Sequence, residues 1–230
     1  MLHHTTTQPS DTSLITAGNA LVIRKSAFWD RAARKYAADP IADVAGYEAT
    51  LRRVQALLSS DQDVLEIGCG TGSTALRLAH GTRSLLATDV SAGMIAIAKE
   101  KLVAQPVAQL SFAVADADGP VQGTYDAVLA FNMLHLVGDL DRTIAVTAQS
   151  LKPGGLFVSK TPCLSELNFL ITRLALPLMQ VIGKAPHVLC FDKDHLQSAI
   201  THQGLDILSV ERHGTRGKDF RVFILARKPG

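Results

Sequence analysis

Nine consecutive residues, Val64-Leu65-Glu66-Ile67-Gly68-Cys69-Gly70-Thr71-Gly72, set one carboxylate and three glycines between an apolar run and a helical pattern that begins at Ser73. Backbone without Cβ atoms can approach a ligand closely, and the first turn of the following helix leaves unpaired N–H groups facing it. Glu66 stands two residues before the first glycine, where its charge would repel a diphosphate and suit a cationic ligand. A dinucleotide fingerprint would need its third glycine at position 73, and this chain has Ser73 there. A second carboxylate, Asp89, closes the next apolar run. His135, His187 and His195 are the candidate proton acceptors, and His135 is the best placed because it follows the fourth apolar run closely.

These residues need a scaffold, and the hydrophobic pattern supplies one. Short apolar runs predict strands at 63–67, 84–88, 110–114, 125–131 and 155–160, with helices at 73–80, 91–104 and 139–150. Alternation at this spacing implies right-handed βαβ crossovers and a parallel sheet covered on both faces. Two further strands, 205–211 and 219–227, are joined by the basic turn His213 to Lys218 and should pair antiparallel. The expected fold is therefore α/β: a doubly wound, mostly parallel seven-stranded sheet with a terminal antiparallel strand pair. Two amphipathic helices precede the first strand, one over Leu14 to Ala38 and one over about Asp43 to Leu58, with Asp39-Pro40 between them. The chain reads as a disordered tail over 1–12 and a single domain over 13–230. Within it lie a helical cap (13–60), a ligand-binding core (61–161), an apolar insertion (162–192), and a last helix and strand pair (193–230).

Composition excludes several classes. Of 230 residues 47% are hydrophobic and 19% charged, with net charge +2, which is neither a disordered nor a strongly basic profile. The basic residues are scattered, so nucleic acid is not an expected partner. Three cysteines, Cys69, Cys163 and Cys190, are too few and too far apart for a disulfide framework, and a reducing, cytoplasmic setting is expected. Residues 1–12 carry no apolar core of the kind a signal peptide has, and His3-His4 lacks a nearby third ligand, so no metal site is expected.

Five features together make the chain resemble the class I S-adenosylmethionine-dependent methyltransferases. They are Glu66 to Gly72; Asp89; Asp116-Ala117; Tyr125-Asp126-Ala127-Val128 running into Phe131-Asn132-Met133-Leu134-His135; and Leu151-Lys152-Pro153-Gly154-Gly155. The chain is most similar to the small-molecule branch, including quinone-biosynthesis enzymes, through Phe28-Trp29-Asp30 and Tyr36. The resemblance implies S-adenosylmethionine as cofactor. Gly68, Cys69, Gly70 and Gly72 would pass under its methionine part, beside Glu66, and Asp89 with neighbouring Val90 would hold the ribose hydroxyls. Asp116 and Ala117 would contact the adenine edge and Met94 its face. Asn132 would line the methyl-transfer site, and Tyr36 would contact the cofactor carboxylate or the acceptor. Structural roles stay open beside these: Asp89 as a helix N-cap, Met94 as core, and Tyr36 as packing. Asp126 is expected before its strand, as a structural residue.

The acceptor implied is a small molecule, apolar or aromatic, received by in-line displacement, with His135 as the candidate base. No Asn/Asp-Pro-Pro-aromatic run follows the fourth strand, which argues against nucleic-acid acceptors. The insertion 164–191 is rich in Leu, Ile, Val and Phe, yet Glu166, Arg173, Pro177 and Lys184 exclude a membrane span. It reads as core and homodimer packing or as a lid over an apolar pocket. A non-catalytic S-adenosylmethionine-binding module, or an NAD-type oxidoreductase, is the alternative.

Overall fold

Apolar runs of five to seven residues separated by helical segments cannot close as hairpins, and here they build one sheet of order β3-β2-β1-β4-β5-β7-β6. The structure, a computed structural model, describes residues 26–166, 186–215 and 219–230. The expected tail at 1–12, the first part of the N-terminal helix, residues 167–185 of the insertion and the basic turn residues 216–218 lie outside the described residues. Strands β1 (Asp63–Ile67), β2 (Ser84–Asp89), β3 (Leu110–Val114), β4 (Tyr125–Phe131) and β5 (Leu151–Pro162) run parallel. β7 (Arg221–Arg227) lies antiparallel to both β5 and β6 (Asp206–Glu211). The sheet is thus mixed at one edge, with β7 inserted between β5 and the edge strand.

Helices cover both faces. α1 spans residues 26–38, followed by α2 (Val44–Gln55), α3 (Ser73–Leu78), α4 (Ala92–Ala104), α5 (Leu140–Ser150) and α6 (Lys193–His202). The starts of α2, α4, α5 and α6 follow from side chains that accept the first free N–H groups. Asp43 accepts from Gly46 N at 3.0 Å, Ser91 from Met94 N at 3.0 Å and Asp139 from Arg142 N at 3.0 Å. One core layer, with Leu65, Val128, Phe157, Leu196 and Ile224, lies under α5 and α6. The other, with Val64, Leu85, Leu129, Val158 and Phe223, lies under α2, α3 and α4. No helix among the described residues is long and apolar enough to cross a membrane.

The start of β5 and the place of Asp126 differ from the sequence reading. β5 begins at Leu151, not 155, because Leu151 pairs with Tyr125 ahead of a register shift, and Gly154 N, within the bulged stretch, donates to Lys228 O at 3.0 Å. Asp126 sits inside β4 instead of before it, at the amino end of the sheet. There it accepts from Asp63 N and Lys152 Nζ, both at 2.8 Å, and ties three strands together.

Candidate functional site

The strand order reverses between β1 and β4, and beyond the carboxyl ends of those strands a crevice opens, as open α/β sheets require. Its volume is about 630 Å³. Of the candidate site residues from the sequence, Tyr36, Glu66, Gly68, Cys69, Gly70, Asp89, Val90, Met94, Asp116, Ala117, Asn132 and His135 line it. Gly72 instead supports the loop from behind. At φ +73°, it would bring a Cβ to 2.6 Å from Phe112 Cζ and 2.9 Å from Ala98 Cβ. Only a residue without that atom lets α3 settle against α4.

Glu66 lies at the floor of the cleft, 2% exposed, and its Oε2 has no hydrogen-bond partner. Burial, with a smaller contribution from the charge of Asp89, pushes its carboxyl up to about 8. A buried acid in this state is neutral when the cleft holds no cation and becomes an anion when one arrives. Asp89 closes the site from β2. Its Oδ2 accepts from Gly70 N and its Oδ1 from Ser91 N, both at 2.9 Å, so each oxygen is oriented with lone pairs left for a ligand. Burial nevertheless raises its pKa. The N-cap of α4 is Ser91, not Asp89. The Cys69 thiol is raised well above its ordinary range by burial, which makes it an inert wall of the loop.

The cap closes one side. Asp30 Oδ1 accepts from Ser91 Oγ at 2.6 Å and from Gly93 N at 2.8 Å, pinning α1 to the start of α4. Trp29 and Tyr36 meet edge to face at 6.0 Å, and Tyr36 reaches over the loop near Gly70. Met94 is 2% exposed and packs with Ala33, Ile97 and Trp29 while lining the cleft, so its core and site readings coexist. Asp116 and Ala117 line the cleft past β3.

The far side carries the groups suited to proton transfer. Asn132 has φ 55°, alone among the described non-glycine residues in lying at positive φ, and its N donates to Lys160 O at 2.7 Å. Such backbone is costly and is held by its surroundings at working sites. His135, in the short 3₁₀ turn Leu134–Leu136, buries an Nδ1 that has no partner, and burial lowers its pKa to about 4. Its imidazole is therefore neutral at physiological pH. Its carbonyl accepts from Leu189 N at 2.7 Å, which ties the described end of the insertion to the cleft. Pro162, Leu164, Pro186, Val188 and Phe220 form an apolar wall beside it. His187 is exposed; His195 stacks on Phe191 in the first turn of α6. Neither lines the cleft.

Sequence reasoning missed Lys160 and Arg221. Lys160 lies near the carboxyl end of β5 and is 7% exposed; Arg221 starts β7 and borders the cleft. The signal for Lys160 was present as a lone cation within the run Leu156-Phe157-Val158-Ser159-Lys160-Thr161, at the carboxyl end where ligands bind. Among the described residues no group of three or more His, Cys, Asp or Glu could hold a metal ion.

Known proteins share this fold. Residues 65–157 match the family described as a methyltransferase domain. The chain is 38% identical over 71 residues to a magnesium-protoporphyrin O-methyltransferase of Rhodobacter capsulatus, covering 31% of this chain and 32% of that protein. It is 37% identical over 117 residues to a hybrid PKS-NRPS synthetase (mpsA) of Macrophomina phaseolina, covering 44% of this chain and 3% of that one. The chain thus spans from a few per cent to about a third of these relatives. Among solved structures, a Haemonchus contortus phosphoethanolamine N-methyltransferase bound to S-adenosylhomocysteine matches with TM-score 0.70 at 17% identity, over 90% of this chain and 61% of that one. The N-methyltransferase NodS of Bradyrhizobium japonicum, also with S-adenosylhomocysteine, matches with TM-score 0.66 at 16% identity, over 90% of this chain and 100% of the other.

Proposed function

We infer that this chain, which carries a class I S-adenosylmethionine-dependent methyltransferase domain, transfers a methyl group to a small acceptor with an apolar or aromatic body. The observation that carries the reading is Glu66: a buried carboxylate with an unpartnered oxygen, beneath a glycine loop and beside a second carboxylate. The residues fit an amino-acid sulfonium nucleoside. An ammonium or sulfonium would satisfy the orphaned oxygen, whereas the pyrophosphate of NAD would meet two acids there.

Bound in the cleft, S-adenosylmethionine would supply a methyl group already activated by its positive sulfur. The protein's share is placement. Gly68 and Gly70 would let the backbone close on the amino-acid end, Asp89 would accept from the ribose hydroxyls, and Asp116, Ala117 and Met94 would hold the adenine. The wall of Pro162, Leu164, Pro186, Val188 and Phe220 takes an apolar acceptor and excludes water, and alignment of this kind contributes about 7–11 kcal/mol. His135, neutral at physiological pH, would accept the acceptor's proton where it has one to lose, an effect of about 10²–10⁴-fold.

Calorimetry with S-adenosylmethionine, S-adenosylhomocysteine and NAD tests the first half: the two sulfur nucleosides bind and NAD does not. A methyl-release assay over small aromatic and alkyl acceptors tests the second. Absence of binding by S-adenosylhomocysteine overturns the reading.

A further inference from the structure

Beside the main cleft lies an annex of about 400 Å³, walled by α2 and the glycine loop. Tyr36, Cys69, Phe131, Asn132 and Arg221 border both spaces. The annex holds a buried ammonium. Lys160 Nζ donates to Thr50 Oγ1 at 2.8 Å, and this is its one hydrogen bond among the described residues, whereas an ammonium carries three N–H donors. Arg221 stands across from it, and its buried Nε lacks a hydrogen-bond partner, with Asp219 Oδ1 at 3.7 Å. Two carboxylates lie nearby and supply negative charge, Asp219 as an ion-pair partner of Arg221, but neither accepts a hydrogen bond from Lys160 Nζ among the described residues. Asp43 accepts from Gly46 N, Thr215 N and Thr215 Oγ1; Asp219 accepts from Gly214 N and Arg221 N. Tyr47, Thr74 and Thr71 add hydroxyls to the same walls. A buried charge with unused donors is costly unless an anion meets it.

We propose that the annex is an anion subsite in which Lys160 and Arg221 receive a carboxylate carried by a molecule bound in the cleft. This rests on the methyltransferase reading and narrows it. A carboxylate there has two sources: the amino-acid end of the cofactor, or an acidic group on the acceptor. Arg221 and its neighbour Phe220 also border the apolar acceptor wall, so an acceptor with an apolar body and an acid end spans the two spaces. Burial of Lys160 lowers its pKa although Asp219 and Asp43 act the other way, and a further anion in the annex would favour its charged form.

The test uses the full chain and the variants Lys160→Met and Arg221→Gln. Protein saturated with S-adenosylhomocysteine is titrated with benzoate, phenylacetate and octanoate, each against its neutral amide. In a second arm, S-adenosylhomocysteine is compared with 5′-methylthioadenosine, which lacks the amino-acid end. The expected result is at least a tenfold preference for acid over amide in the wild type, lost in both variants, with affinity for S-adenosylhomocysteine unchanged. A tenfold loss for S-adenosylhomocysteine alone, with 5′-methylthioadenosine unaffected, supports the subsite and assigns its carboxylate to the cofactor. Equal behaviour of wild type and variants in both arms overturns the subsite. If Lys160→Met does not fold, Arg221→Gln, whose side chain is more exposed, carries both arms. Failure of the wild type to bind S-adenosylhomocysteine would undo the methyltransferase reading instead.

Discussion

Replacing Glu66 by glutamine should stabilise the protein without ligand and weaken it as a binder. The carboxyl titrates at 4.5 when free in the unfolded chain and at about 8 in the fold. Between those values the unfolded chain has already released the proton that the folded chain still holds, so stability falls as pH rises. The loss is about 1.4 kcal/mol per pH unit. It is absent below pH 4.5, reaches about 3 kcal/mol at pH 7, and is complete near pH 8 at about 5 kcal/mol. Glu66→Gln removes the titrating group and keeps the shape. Urea denaturation at pH 5, 6, 7 and 8 should therefore show a variant that nearly matches wild type at pH 5 and gains on it by up to about 3 kcal/mol at pH 7. Ligand binding runs the other way. A cation in the cleft favours the ionised acid, so below pH 8 binding must expel a proton. Wild-type affinity for S-adenosylhomocysteine should then rise by up to about tenfold per pH unit from 6 to 7.5. Calorimetry in two buffers of different ionisation heat should show the released proton, and the variant should show neither effect. Parallel stability curves for the two proteins across pH 5–8, with equal binding, would refute the role assigned to this side chain.

Asp89→Ala should weaken S-adenosylhomocysteine binding more than tenfold, since it removes the acceptor for the ribose and frees Gly70 N and Ser91 N; calorimetry decides, and wild-type affinity would remove Asp89 from the site. Gly72→Ala should cost about 2–4 kcal/mol in urea denaturation, because strain at positive φ and overlap with Phe112 act together. His135→Ala should lower kcat/KM about 100-fold or more for acceptors that lose a proton and leave cofactor affinity unchanged. With a pKa of about 4, His135 stays a neutral base down to mildly acidic pH, so the wild-type rate should show no step near 6.5 from this residue. Asp126→Asn should reduce stability by about 1 kcal/mol through the weakened contact with Lys152 and leave ligand binding unchanged, since it sits at the opposite end of the sheet.

Local chemistry made much of this molecule legible in the chain alone. Strand, glycine loop and helix start follow from neighbours in sequence: Val64 to Ile67 must be buried, and Gly68 and Gly70 must adopt positive φ. The same local logic placed Asp89 at the end of β2 and Asp116 just past β3, and parallel crossovers then bring such strand ends to one edge of the sheet. What local pattern could not state is which groups lose their water. Glu66 and His135 are ordinary acids and bases in sequence; tertiary burial leaves one a neutral acid and the other a neutral base. Nor could spacing show that β7 would slide between β5 and β6, since antiparallel pairing with β5 depends on contacts between residues some sixty positions apart. That insertion carries Arg221 to the rim of the cleft beside Lys160. Long-range register, rather than any motif, makes the two cations neighbours.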